Sequence, residues 1–190
     1  MEDGVVKEGD GSQLVMPVGA RDRVQGPRDA AVTLLEYGDF ECGHCAAAFP
    51  TVKEVTRWLR GALCYAFRHL PAAAIHPNAL RAAEAAEAAG AQGRFWEMHD
   101  LLCERSPALG AVHLKRYARE LGLDVERFER ETAEHTYLKK VRKDVASGVA
   151  SGVRVTPTFF VNGVRYGGEV DLDGLLSAIE EAGNRATGGR

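Results

Sequence analysis

Four residues, Cys42-Gly43-His44-Cys45, hold the clearest chemistry in this 190-residue chain. Two thiols separated by two residues can close a small ring disulfide and reopen it. The spacing of Ala46, Phe49, Val52 and Val55 predicts a helix from Gly43 to about Leu59, interrupted by Pro50. A thiol at a helix start lies beside unpaired backbone N–H groups and the positive end of the helix dipole. Both favour thiolate over thiol, and the thiolate is the nucleophile of disulfide exchange. The competing reading is half of a zinc site, which needs two more ligands. No second CxxC occurs, Cys64 and Cys103 are isolated, and the six histidines are scattered. No metal and no cofactor are expected. His69, His76 and His99 match no compact ligand motif and are read as structural.

A second run, Val155-Thr156-Pro157-Thr158-Phe159-Phe160-Val161, ends in an Asn162-Gly163 turn and reads as the first arm of a hairpin. Pro157 near the start of that strand cannot donate to a ladder. It fits an edge or first-residue position, or a cis proline abutting the thiol pair that leaves the backbone of Thr156 free for an extended peptide.

With these residues in hand the chain resembles the thioredoxin superfamily, and within it the DsbA-like group. The stretches that carry the resemblance are Leu35-Glu36-Tyr37-Gly38-Asp39-Phe40-Glu41-Cys42, Phe67-Arg68-His69-Leu70-Pro71, Gly93-Arg94-Phe95-Trp96-Glu97-Met98-His99 and Thr156-Pro157-Thr158-Phe159. They span about residues 27–182 in one order. The resemblance implies an α/β thioredoxin fold, a central mixed sheet flanked by helices, with an all-helical insert. It also implies thiol–disulfide exchange with cysteine-containing proteins or peptides. The recycling partner is left open between a thioredoxin or glutathione system and a quinone-linked oxidase.

In that frame Cys42 is the nucleophile and Cys45 the resolving thiol, the first the more exposed. His44 can stabilise the Cys42 thiolate by charge and hydrogen bonding. Its Gly-His dipeptide equals that of protein disulfide isomerase domains, whose potential is roughly −180 mV. Glu36, on a strand apolar enough to be buried on both faces, is read as a proton acceptor for the resolving thiol. Asp39 and Glu41 are read as turn and helix-start charges. Phe40, with Thr156 and Pro157, is read as part of a peptide groove, against core packing as the default. Cys64 and Cys103 read as small buried side chains.

Around these residues the pattern divides the chain. Residues 1–26 read as a flexible polar lead, 27–76 and 152–183 as the thioredoxin-like part, 77–151 as the helical insert, and 184–190 as a frayed tail. Leu114, Tyr117, Ala118 and Leu121 mark one insert helix closed by Gly122, and Leu138, Val141, Val145 and Val149 mark another. Net charge is −3, and no basic stripe points to nucleic acid. No apolar run reaches membrane-span length. Met1 to Asp10 carries four acids and no apolar core, so it does not read as a secretory signal, and the chain reads as cytoplasmic. A signal removed upstream would make it periplasmic or extracytoplasmic.

Three rival functions remain open on sequence: a thiol-based redox sensor, a chaperone-like peptide binder, and a glutathione-dependent transferase or isomerase on the same fold. Transferases of that kind typically carry a single Ser or Cys in place of the pair.

Overall fold

Strand β2 (Val32–Gly38) is almost entirely buried, and its alternation decides what each face meets. Val32 and Leu34 join a core with Val52, Val55, Leu175 and Ile179. Leu35 and Tyr37 join a second core with Ala66, Val153 and Phe160 on the opposite face. Glu36 follows Leu34 by two and so lies on the first face.

The structure, a computed structural model, describes residues 11–188. Its sheet has the order β1-β3-β2-β4-β5. Strands β2 and β3 (Leu63–His69) are parallel, which requires a crossover, and helix α1 (Gly43–Trp58) supplies it. Strand β4 (Thr158–Val161) runs antiparallel to β2 and turns through Asn162-Gly163 into β5 (Val164–Arg165). Both turn residues have positive φ, 48° and 81°, which suits Asn and Gly. Helix α7 (Leu172–Gly188) packs with α1 over the first face. The expected frayed tail is therefore helical through Gly188; residues 189–190 lie outside the described residues.

Between β3 and β4 lie α2 (Ala79–Gly90), α3 (Phe95–Glu104), α4 (Ala111–Glu120), α5 (Val125–Ala133) and α6 (Leu138–Ala150). Their core holds alanines of α2 with Phe95, Met98, Leu102, Leu114, Tyr117 and Phe128, and it reaches the sheet through Phe67 and Phe40.

Two further expectations change. Residues 11–26 are not a loose lead; residues 1–10 of that lead lie outside the described residues. Strand β1 (Arg23–Gln25) pairs antiparallel with β3, and the Leu14 N–H donates to the Gly163 carbonyl at 2.8 Å. The Arg68 guanidinium binds the Met16 and Pro17 carbonyls and both carboxylate oxygens of Asp22. A sheet buried on both faces needs a cover on the second one, and Leu14, Val18 and Val24 contribute it. These apolar residues are too scattered to show as a periodic pattern.

Of the apolar stripe of α6 only Val141 is buried. Val149 is 48 % exposed, and Leu138, Val145 and Val149 line a groove of about 650 Å³ with Pro71 and Leu80. The face turned inward is Val141, Asp144, Ser147 and Gly148. Ser147 Oγ is 2.8 Å from the Tyr37 hydroxyl, Asp144 accepts from the His69 N–H, and Gly148 lets α6 approach the Tyr37 ring. Hydrogen bonding, rather than apolar burial, fixes how this helix is rotated.

Candidate active site

The chain leaves β2 at Gly38, where any Cβ would come within 2.5 Å of the Phe67 ring. Only glycine fits this exit. The next residues turn over the end of the sheet and place Cys42 at the N-cap of α1, with extended backbone angles (φ −77°, ψ 120°) and no side-chain cap bond. The first N–H groups of α1 therefore open toward the Cys42 side. Cys42 and Cys45 are both free thiols.

Exposure does not separate the two cysteines: Cys42 is 6 % and Cys45 5 % exposed, so the expectation that the first is the more open is not met. Their neighbours do separate them. The Cys42 thiol donates to the Thr156 carbonyl at 3.4 Å. Thr156 and Pro157, joined by a cis peptide bond, precede β4 and stand outside the sheet ladder. Cys45 faces inward. Its sulfur accepts the Asp39 N–H at 3.4 Å. Burial first, and the Glu36 carboxylate second, push the Cys45 thiol far above the ordinary thiol range.

Glu36 is buried under α1 and accepts the Tyr65 hydroxyl at 2.7 Å. Burial raises its carboxyl to about 7, against the lowering effect of that hydrogen bond. A carboxyl titrating near neutrality, whose charge is felt by a thiol that resists ionisation, is suited to exchanging a proton with that thiol. His44 is exposed on the first turn of α1.

Phe40 does not floor a groove. It is 3 % exposed, stacks on Phe67 with ring centroids 5.3 Å apart, and meets His99 edge-on. It anchors the turn in the helical core. Glu41, read as a charge beside Cys42, reaches away from it: its oxygens accept the N–H and the Nδ2 of Asn78 at 2.6 and 2.8 Å. It thereby serves the N-terminus of α2, where Asn78 makes no side-chain cap of its own.

Cys64 is buried in β3, and burial raises its thiol. Cys103 is half-buried on α3 with its sulfur 4.0 Å from His99 Nε2. Burial, then the charges of Glu36 and Cys45, raise it well above the usual thiol value. The three histidines each have a carboxylate partner: His69 with Glu87, His76 with Asp39, His99 with Asp100. Among the described residues no group of three or more His, Cys, Asp or Glu could hold a metal ion. Sequence reasoning missed Asp39, whose carbonyl accepts the Cys42 N–H at 3.1 Å while its N–H meets Cys45. Only its place three residues before Cys42 hinted at this.

Comparison with known proteins agrees with this geometry. A thioredoxin-like oxidoreductase from Silicibacter pomeroyi superposes with a TM-score of 0.77 at 26 % identity, covering 86 % of this chain and 93 % of that one. BdbD from Bacillus subtilis superposes with a TM-score of 0.77 over 94 % of this chain and 99 % of its own; at 22 % identity that likeness speaks for the fold. Among curated proteins, the Na(+)/H(+) antiporter NhaA 1 of Salinispora arenicola is 46 % identical over 170 residues, 89 % of this chain and 26 % of that protein. The antiporter NhaA of Herminiimonas arsenicoxydans is 45 % identical over 166 residues, 87 % of this chain and 26 % of its own. The chain thus spans about a quarter of the length of these curated relatives. Among the described residues no helix is long and apolar enough to cross a membrane. The thioredoxin family model matches residues 20–181, and with the strand order, the Cys42–Cys45 pair and Pro157 beside it, this establishes that the chain belongs to the thioredoxin family.

Proposed function

We propose that this chain is a thiol–disulfide oxidoreductase, exchanging disulfides with cysteine-containing proteins or peptides through Cys42 and Cys45. The observation that carries the reading is the asymmetry of the pair: the Cys42 thiol donates to the Thr156 carbonyl, while the Cys45 sulfur accepts the Asp39 N–H, meets the Thr156 side chain and feels the charge of the buried Glu36. In the reducing direction the Cys42 thiolate attacks a substrate disulfide, and the departing substrate sulfur takes up a proton. Cys45 then gives its proton to Glu36 and attacks the Cys42 sulfur, and the second substrate sulfur leaves as a thiolate that takes up a proton from solvent. Two electrons pass from the cysteines to the substrate. In the oxidising direction each step reverses and Glu36 returns the proton.

Thr156 offers backbone beside Cys42 for an extended substrate strand, with Pro157 keeping that segment out of the ladder. His44, on the exposed side, interacts with the Cys42 sulfur as it departs. Transport is not carried over from the longer relatives, because this chain spans only a quarter of them. Glutathione and thioredoxin systems or a quinone-linked oxidase would recycle the pair according to compartment, and a cytoplasmic setting draws it toward reduction.

A redox titration against glutathione, followed by alkylation and mass, tests the reading. One two-electron transition confined to Cys42 and Cys45 is expected, more oxidising than the roughly −270 mV of thioredoxin. Cys45→Ser should accumulate mixed disulfides on Cys42, and Cys42→Ser should lose exchange by at least about a thousandfold, the scale set by removing the attacking nucleophile. A pair that stays reduced throughout, or a Cys45→Ser variant as active as the parent, would refute it in favour of a sensor or a transferase.

A further inference from the structure

Asp39 has a fully buried side chain, and its carboxylate takes three donors. Oδ1 accepts the Glu41 N–H at 2.8 Å. Oδ2 accepts the Ala72 N–H at 2.8 Å and lies 2.7 Å from His76 Nδ1. The first donor belongs to the redox turn. The other two belong to the connection between β3 and α2. The backbone of the same residue meets both cysteines, through its carbonyl to the Cys42 N–H and its N–H to the Cys45 sulfur. Among the buried acids Glu36, Glu84, Glu87 and Asp144, none makes a backbone hydrogen bond to a cysteine of the pair. A polar side chain this buried holds its place only while its hydrogen-bond partners are present. Here those donors fix the residue whose N–H faces Cys45.

We propose that Asp39 is a positioning residue that tunes the redox equilibrium of the pair. Its carboxylate, clamped by Glu41, Ala72 and His76, keeps its own N–H on the Cys45 sulfur. A thiol or thiolate sulfur carries more negative charge than a disulfide sulfur and is the better acceptor. The contact therefore favours the reduced pair and makes the disulfide the stronger oxidant. This rests on the exchange function proposed above. Oxidised and reduced glutathione report on it directly: the reduced pair plus glutathione disulfide gives the Cys42–Cys45 disulfide plus two glutathione thiols.

The test uses the full chain with Asp39→Asn and His76→Ala. The Asn amide keeps an acceptor for Glu41 but presents N–H groups to Ala72 and His76. His76→Ala removes one donor and touches neither cysteine. Asp39→Asn should shift the glutathione equilibrium constant toward the disulfide by about threefold to tenfold, the range of one hydrogen bond. His76→Ala should shift it the same way by less. Circular dichroism and thermal melts run alongside, because a purely structural role would lower the melting temperature and leave the constant alone. An Asp39→Asn protein that folds with the parent's constant overturns the proposal. If that variant does not fold, an unchanged constant in His76→Ala overturns it. A parent pair that never reacts with glutathione removes the exchange function, and this proposal with it.

Discussion

Glu36 and Glu87 are both glutamates packed between the sheet and a helix, and they respond to burial in opposite ways. Burial raises Glu36 to about 7, opposed only by the neutral Tyr65 hydroxyl. Burial pushes Glu87 upward as well, but the hydrogen bond and charge of His69, the hydrogen bond of Arg23 and the charge of Lys140 outweigh it and hold the carboxyl at about 2. Glu87 stays ionised and ties β1, β3, α2 and α6 together. Glu36, with no cationic partner among the described residues, is left able to gain and lose a proton. Partner charge, not depth, separates a carboxyl held ionised from one that titrates near neutrality.

The comparison is broken most severely at Glu87. Glu87→Gln leaves Arg23 and Lys140 facing a neutral amide and should cost about 3 kcal/mol at pH 7, read by urea unfolding. Because the folded carboxyl is depressed, its stabilisation is present above pH 4.5 and lost as pH falls toward 2. The gap between variant and parent should close over that range.

Glu36→Gln should act in the other direction. The folded carboxyl is raised, so its contribution is intact below pH 4.5 and is lost as pH climbs to 7. The variant should match the parent near pH 4 and exceed it by about 2–3 kcal/mol at pH 8. The release of mixed disulfides by Cys45 should rise through pH 7 in the parent and lose that inflection in the variant, as single-turnover kinetics would reveal. An inflection that survives in Glu36→Gln would assign the proton to another group.

The smallest effect is expected at Tyr65. Tyr65→Phe removes the one hydrogen bond that lowers the Glu36 carboxyl. The inflection should move up by about one pH unit, the equivalent of one hydrogen bond, with stability changed by under about 1 kcal/mol at pH 7.

The two carboxylates also mark how far sequence reasoning reached. The burial of Glu36 was legible because a strand as apolar as β2 is covered on both faces, and the Cys42–Cys45 pair stood out because its spacing is itself suggestive of chemistry. Glu87 was not, since it lies in an alanine-rich helix whose inward face looks like propensity alone, and its partners come from segments 18 to 64 residues distant. Asp39 was hidden for a similar reason: Ala72 and His76 reach it across 33 and 37 positions. Phe40 was misplaced because an aromatic two residues before a reactive cysteine suits a groove as well as a core. The mixed sheet followed from the resemblance, while the rotation of α6 depended on Asp144 and Ser147, polar residues that periodicity assigns to water.

Strand β1 has a practical consequence for anyone trimming this protein. It occupies the outer edge of β3, each of whose seven residues is buried. Starting the polypeptide near Ala31, where apolar patterning begins, would bare that edge and its unpaired amides. An uncovered strand of this length invites a second molecule to dock there, so such a truncation should yield self-association.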